Sequence, residues 1–255
     1  MPLASSATHN TGPDDAAEGT ASKRIALVTG GSSGIGAATA RALAADGWHV
    51  VVAARRLERI RQVAQEISGT AIELDVTDQD SVDAAAAQLP TLDLLVNNAG
   101  GAKGLDPVAC AKVADWEWMY DTNVLGTLRM TKALLEPLIR ANGLIVNIGS
   151  IAGHVPYEGG AGYNAAKHGV AALSRVLRLE HHSTTLRVCE IDPGRVKTEE
   201  FSLVRFGGDA DKAAKVYRDH LNLTAEDIAE AVRWVASLPA HVNIDRMQIM
   251  PRDQV

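Results

Sequence analysis

From residue 24 almost to its end, the chain alternates short apolar runs with segments of helical spacing. The spacing predicts strands over 25–29, 48–54, 71–74, 92–97, 143–149, 185–191 and 243–250. Helices are predicted over 35–46, 57–67, 79–89, 121–140 and 163–182. The strand runs are apolar at successive positions, so both faces of each must be covered. Strands of that kind, separated by helices, predict an α/β fold: a single-domain, Rossmann-type, doubly wound parallel sheet with helices on both faces. There is no internal repeat. Residues 1–22 are rich in Ala, Ser, Thr, Gly and Asp without hydrophobic periodicity and read as a disordered N-terminal tail. Residues 23–255 read as one catalytic domain.

In such a sheet, ligands sit beyond the carboxyl ends of the strands, near the point where strand order reverses. Chemistry-bearing residues follow six of the predicted strands. They are Gly30–Gly36, Arg55-Arg56, Asp75, Asn97-Asn98-Ala99-Gly100, Ser150 and Asp192-Pro193-Gly194. The first of these, Thr29-Gly30-Gly31-Ser32-Ser33-Gly34-Ile35-Gly36, lets backbone amides approach a diphosphate closely. The helix opening at Ile35 aims its partly positive amino end at the same place. The competing reading, a tight strand–helix turn without a ligand, does not need so many glycines.

About twenty residues beyond such a loop, an acidic residue accepts from the ribose 2′-hydroxyl of a dinucleotide. This chain has no acid there and offers Arg55 and Arg56 instead. Two guanidiniums suit a 2′-phosphate, which favours NADP(H) over NAD. Asp75-Val76 fits the edge of an adenine pocket, and Asn98-Ala99-Gly100 the adenosine ribose. Either is also ordinary turn chemistry at a strand end. Pro193-Gly194, with Val196 and Thr198, lies where a nicotinamide carboxamide would meet backbone.

Tyr163-Asn-Ala-Ala-Lys167 sets a phenol and an ammonium one helical turn apart on one face. A cation beside the phenol is expected to lower its pKa from about 10 and make an acid–base catalyst that works near neutrality. The pair alone is common on exposed helix faces. Here Ser150 precedes it by thirteen residues, at the end of an apolar run.

Other function classes fit poorly. The 255 residues carry a net charge of −6, without a basic or aromatic-laced tract, which argues against nucleic-acid binding. There is no apolar run long enough to span a membrane, and the first residues lack the features of a signal or transit peptide, so a cytoplasmic location is expected. The two cysteines have no C-x-x-C spacing and the eight histidines no ligand spacing, so no metal is expected. His181-His182 read as solvated or capping, and Cys189 as a small buried hydrophobe.

Together these residues resemble the short-chain dehydrogenase/reductase family. Its T-G-x-x-x-G-x-G loop, N-N-A-G, helical Asn, Ser, Y-x-x-x-K and P-G loop match Thr29–Gly36, Asn97–Gly100, Asn123, Ser150, Tyr163 with Lys167, and Pro193-Gly194. The resemblance implies that Tyr163 is the general acid in reduction or the base in oxidation. It implies that Ser150 holds the substrate oxygen. Lys167 would bind the nicotinamide ribose and lower the pKa of Tyr163, and Asn123 would fix a water linking Lys167 to solvent. It also implies a homotetramer or homodimer built on the helices over 121–140 and 163–182.

A narrower resemblance lies in residues 147–160, 200–209 and 238–244, which are similar to the NADP-dependent serine and 3-hydroxy acid dehydrogenases of that family. Their substrates carry a carboxylate near the alcohol, and Arg205 is its candidate partner; a surface or subunit contact is the alternative. Val196-Lys197-Thr198-Glu199-Glu200-Phe201 departs from that subgroup's V-G-G-T-E-F, with Lys197 and Glu199 as new charges. Two further readings stay open: a broader carbonyl reductase with an apolar pocket lined from Leu203 and Phe206, and a non-catalytic NADP-binding regulator on the same fold.

Overall fold

The computed structural model describes residues 23–254; the expected tail over 1–22 lies outside the described residues. Seven parallel strands form one sheet in the order β3-β2-β1-β4-β5-β6-β7. They are β1 (Ile25–Thr29), β2 (His49–Ala54), β3 (Thr70–Glu73), β4 (Leu94–Asn97), β5 (Leu144–Ile148), β6 (Arg187–Pro193) and β7 (Arg246–Ile249). All seven predicted strands are present, with no end displaced by more than three residues.

Alternate strand residues feed two separate cores, which is why the runs read as continuously apolar. Ala26, Val28, Val50, Val52, Leu94, Val96, Val146 and Ile191 pack on one face, under α1 (Gly34–Ala45), α2 (Leu57–Glu66) and α9 (Ala225–Ser237). Leu27, Val51, Leu95, Ile145 and Val188 pack on the other. There they meet Val82 and Ala85 of α3 (Gln79–Ala87), Met130, Leu134 and Leu138 of α5 (Gly126–Arg140), and Leu177 of α6 (Ala161–Glu180). Leu134 and Leu138 are fully buried; cutting either to Ala costs about 2–5 kcal/mol.

Two differences from the expected elements matter. The helix expected over 121–140 is a π turn over Asp121–Leu125 followed by α5, and it continues a helix not expected from the sequence, α4 (Val113–Tyr120). The π turn frees the Met119 carbonyl, which accepts from the Asn123 side chain at 2.7 Å. The second difference is α9, which the periodicity reading left unassigned. Thr224 and Asp227 cap each other reciprocally at its start, and Ile228, Val232 and Val235 are buried against the sheet. Between β6 and α9, the short helices α7 (Phe201–Arg205) and α8 (Ala210–Lys215) form a cover over the strand ends.

Strand order reverses at β1, whose neighbours are β2 and β4. The site lies beyond the carboxyl ends of these strands.

Candidate active site

The loop after β1 is locked to the loop after β4. Thr29 Oγ1 donates to the Val96 carbonyl at 3.2 Å and accepts from the amides of Asn98 and Ala99, each at 3.0 Å. The Asn98 side chain donates to the carbonyls of Thr29 and Gly30 at 2.9 and 3.2 Å. Asn98 thus spends its amide holding the glycine loop, the turn chemistry that the sequence had left open, while still facing the cavity. Gly36 lies beneath that loop instead of lining the cavity. A Cβ there would stand 2.4 Å from the Gly30 carbonyl oxygen, so only glycine lets α1 start so close to β1. No side chain caps the amino end of α1 and no acid lies in its first turn, which leaves its backbone N–H groups for an anion.

A cavity of about 620 Å³ runs from this loop to α6. Its wall includes Gly30, Ser32, Ser33, Gly34, Ile35, Arg55, Arg56, Asp75, Val76, Asn98, Ala99, Gly100, Ser150, Tyr163, Lys167, Pro193, Gly194, Val196, Thr198 and Arg205. Gly36 and Asn123, both singled out in the sequence, are outside that wall. The buried Asn123 side chain clamps Gly101, donating to its carbonyl at 2.9 Å and accepting from its amide at 3.2 Å.

At the inner end, the loop after β5 presents Ser150, and α6 presents Tyr163 and Lys167. All three are buried. Ser150 is extended, and its Oγ accepts from the Ala152 amide at 3.2 Å. Lys167 Nζ donates to the Ile148 carbonyl at 2.8 Å and stands 5.8 Å from the Tyr163 ring centre. Burial lowers the Lys167 pKa to about 8, against the pull of Asp192 and Glu190. Burial also raises the Tyr163 phenol well above its usual value; the Ser150 hydrogen bond and the Arg205 charge oppose it without overcoming it. This corrects the expectation that the Lys167 cation brings the phenol's pKa down. Desolvation disfavours the phenolate more than a cation 5.8 Å from the ring favours it.

Behind Ser150 lies a buried carboxylate, Asp192, which the sequence marks as a strand-end group without showing that it tethers Ser150. Asp192 Oδ1 accepts from the Ser150 amide at 3.0 Å, and Oδ2 from Arg246 Nε at 2.8 Å. His154 Nε2 approaches Oδ2 to 2.9 Å and Glu190 Oε1 to 3.7 Å. A Cβ on Gly149 would stand 2.1 Å from Asp192 Oδ1, so a glycine must precede Ser150 for the tether to form. Besides its place at a strand end, Asp192 has one further sequence signal, the acid–apolar–acid spacing with Glu190, which puts both carboxylates on one face of the strand. His154, Glu190 and Asp192 converge as metal ligands would, yet the Arg246 guanidinium already supplies the positive charge.

Over the pocket, Arg205 donates to the Tyr157 hydroxyl at 2.6 Å and to the Gly104 carbonyl at 3.2 Å. Its guanidinium carbon is 5.7 Å from the Tyr163 ring centre, and Phe201 meets that ring edge-on, also at 5.7 Å. Leu203 and Phe206 are absent from the wall, as are Lys197 and Glu199, both exposed. Glu200 lines it and pairs with Arg56 at 2.5 Å.

Comparisons with known proteins agree with this arrangement. The family model described as short chain dehydrogenase matches residues 24–205. An uncharacterized oxidoreductase of Mycobacterium tuberculosis is 57% identical over 233 residues, which cover 91% of this chain and 92% of the relative. The NADP-dependent 3-hydroxy acid dehydrogenase YdfG of Salmonella typhi is 46% identical over 237 residues, covering 90% and 96%. Among solved structures, the closed form of a serine dehydrogenase complexed with NADP+ superposes with a TM-score of 0.88 at 44% identity, covering 91% of this chain and 96% of that one. With the glycine loop, Ser150, Tyr163 and Lys167 around one cavity, and a family match over most of its length, the chain belongs to the short-chain dehydrogenase/reductase family.

Proposed function

We propose that this protein is an NADP(H)-dependent oxidoreductase that interconverts a small alcohol and its carbonyl form, the substrate being a 3-hydroxy acid or its semialdehyde. The residues fit the cofactor. The uncapped start of α1 and the Ser32-Ser33-Gly34 backbone suit a diphosphate. Arg55 and Arg56 suit a 2′-phosphate. Asp75, Val76, Asn98, Ala99 and Gly100 would face the adenosine half. Pro193, Gly194, Val196, Thr198 and Lys167 would face the nicotinamide half. When bound, NADP(H) supplies or takes the hydride.

The chain's own groups handle the proton and the substrate oxygen. Ser150, tethered by Asp192, would hold that oxygen. Tyr163 stays protonated in the buried site and so is set to donate as general acid in reduction. In oxidation it must act as base, and the cations Arg205 and Lys167 are the groups that would favour its phenolate. Asn123 would serve by fixing the Gly100-Gly101 turn. Its side chain is engaged by backbone, and its own carbonyl accepts from the Thr127 hydroxyl at 2.7 Å, so the water expected to link Lys167 to solvent would use that carbonyl's second lone pair.

The observation that carries the acid-bearing substrate is Arg205. Its guanidinium stands over the Tyr163 ring and lines the cavity, whereas Leu203 and Phe206 do not line it. A buried-side guanidinium favours a carboxylate partner. The similarity to the serine and 3-hydroxy acid dehydrogenases supports the same class. The test is a panel of hydroxy acids, semialdehydes and neutral ketones followed at 340 nm with both cofactors. Neutral ketones outperforming acids in kcat/KM would favour the broader carbonyl reductase, and no turnover of any would favour the non-catalytic regulator.

The same reading includes a cytoplasmic homotetramer or homodimer. Cys110 and Cys189 are both free thiols, as a reducing compartment allows. No described helix is long and apolar enough to cross a membrane. Tyr120, Val176 and Leu179 are large apolar groups, about half exposed, on α4 and α6, and a partner subunit would cover them. Light scattering at micromolar concentration tests this; a monomer would contradict it.

A further inference from the structure

One carboxylate gathers donors from Arg56, Arg59 and Ser33 at the outer end of the cavity. Glu200, which opens α7, accepts from Arg56 through both guanidinium nitrogens, at 2.5 Å to Oε1 and 2.6 Å to Oε2. Ser33 Oγ donates to Oε2 at 2.7 Å, and Arg59 also donates to Oε1. The same Arg56 nitrogen reaches Ser32 Oγ at 2.6 Å. Two guanidiniums and the hydroxyls of the glycine loop thus form a cradle for an anion, and the protein's own side chain is in it. The cradle holds that side chain fully ionised, with hydrogen bonds from Arg56 pulling its pKa down to about 2.

We propose that Glu200 is a specificity-determining residue for the cofactor: it occupies the anion cradle of Arg56, Arg59 and Ser33, and a 2′-phosphate must displace it to bind there. The inference rests on the NADP(H) reading above. A carboxylate and a phosphate monoester compete for the same donors, and the phosphate brings more charge and a third acceptor oxygen. The donors are solvent-exposed, with Arg56 and Arg59 side chains 42% and 50% exposed, so exchanging one anion for another does not require opening the core. A cofactor without the phosphate has no reason to expel Glu200. The residue therefore lowers the affinity for NADPH and leaves that for NADH alone.

The test is direct binding, not turnover. Titration calorimetry on the full chain and on Glu200→Gln measures Kd for NADPH, NADH, 2′-AMP and 5′-AMP. The glutamine keeps the size and one acceptor oxygen while removing the charge, and a thermal melt checks that the fold is kept. The proposal expects NADPH and 2′-AMP to bind the variant tenfold or more tightly than the wild type, with NADH and 5′-AMP changed by less than about twofold. Weaker binding of NADPH to the variant would overturn it and make Glu200 a clasp that closes over the bound cofactor. Equal changes for all four ligands would overturn it in favour of a general effect on the cover. A wild-type protein that prefers NADH, and a variant that still does, would reject the NADP(H) reading. The 2′-AMP arm decides the role of Glu200 separately, because it does not involve the nicotinamide.

Discussion

The two ends of the cavity obey different electrostatics. At the inner end Ser150, Tyr163, Lys167, Glu190 and Asp192 are each less than a tenth exposed, and loss of water sets the protonation of Tyr163, Lys167 and Glu190. Burial drives the phenol and the Glu190 carboxyl upward and the ammonium down to about 8. At the outer end Arg55, Arg56 and Arg59 face solvent. There pairing sets protonation, and Glu200 is held at about 2 mainly by Arg56. Groups fixed by burial cannot be exchanged without disturbing the core, whereas solvent-facing ion pairs are individually weak and open to competition. The inner end is thus suited to holding one proton in one place, and the outer end to trading one anion for another.

The largest expected effect breaks the inner end. Tyr163→Phe removes the proton donor and leaves the ring against Phe201, so kcat should fall by ~10²–10⁴-fold. Binding of NADPH should stay within a few-fold, because the outer cradle is untouched. A variant retaining more than half of the wild-type kcat would remove Tyr163 from the mechanism.

Arg55→Asp probes the outer end. Arg55 is exposed, lines the cavity and makes no ion pair among the described residues. It therefore meets a 2′-phosphate without first releasing a partner, unlike Arg56. Losing a charge-assisted contact costs ~1.5–3 kcal/mol, so the NADPH/NADH ratio of kcat/KM should fall at least about tenfold. An unchanged ratio would assign the phosphate to Arg56 and Arg59 alone.

Arg205→Met lies between the two regimes, half-buried and bonded to Tyr157. If it pairs a substrate carboxylate, KM for hydroxy acids should rise by about an order of magnitude, with neutral analogues of similar size nearly unaffected. Equal losses for both would mark Arg205 as a brace for the cover through Tyr157 and Gly104.

Much of this was legible in the sequence, for reasons that also explain the rest. Doubly covered strands need unbroken apolar runs, so all seven were visible. Tyr163 and Lys167 declare themselves because one helical turn separates them. What stayed hidden depends on partners far away in the chain. Asp192 meets Arg246 across 54 positions, and Glu200 meets Arg56 across 144. The π turn at Asn123 leaves no periodic trace, since one irregular turn only shifts the phase of a continuing helix. For α9 the signal was present in Thr224 and Asp227, a reciprocal cap that marks a helix start. The direction of the Tyr163 shift was misread because spacing shows the neighbouring cation but not the depth of burial.

The smallest effect tests whether burial does govern the inner end. Glu190 faces Asp192 on its own strand, Arg246 on β7, Lys167 on α6 and His154 in the loop after β5. Desolvation first, then the Asp192 charge, raises its pKa from 4.5 to about 8, with Arg246 and Lys167 opposing. The folded protein therefore keeps this proton where the unfolded chain releases it. The stabilisation is fully present below pH 4.5 and is lost as the pH rises towards about 8. Glu190→Gln copies the protonated form and can still donate to Asp192, so it should remove that loss. At about pH 3.5, below the unfolded value, the variant and the wild type should melt within about one degree of each other. At pH 8 the variant should melt about 2–4 °C higher for each kcal/mol recovered. A variant destabilised equally at both pH values would mean that Glu190 is ionised in the folded state and that the Arg246 and Lys167 charges outweigh burial. The inner end would then follow the same pairing rule as the outer one.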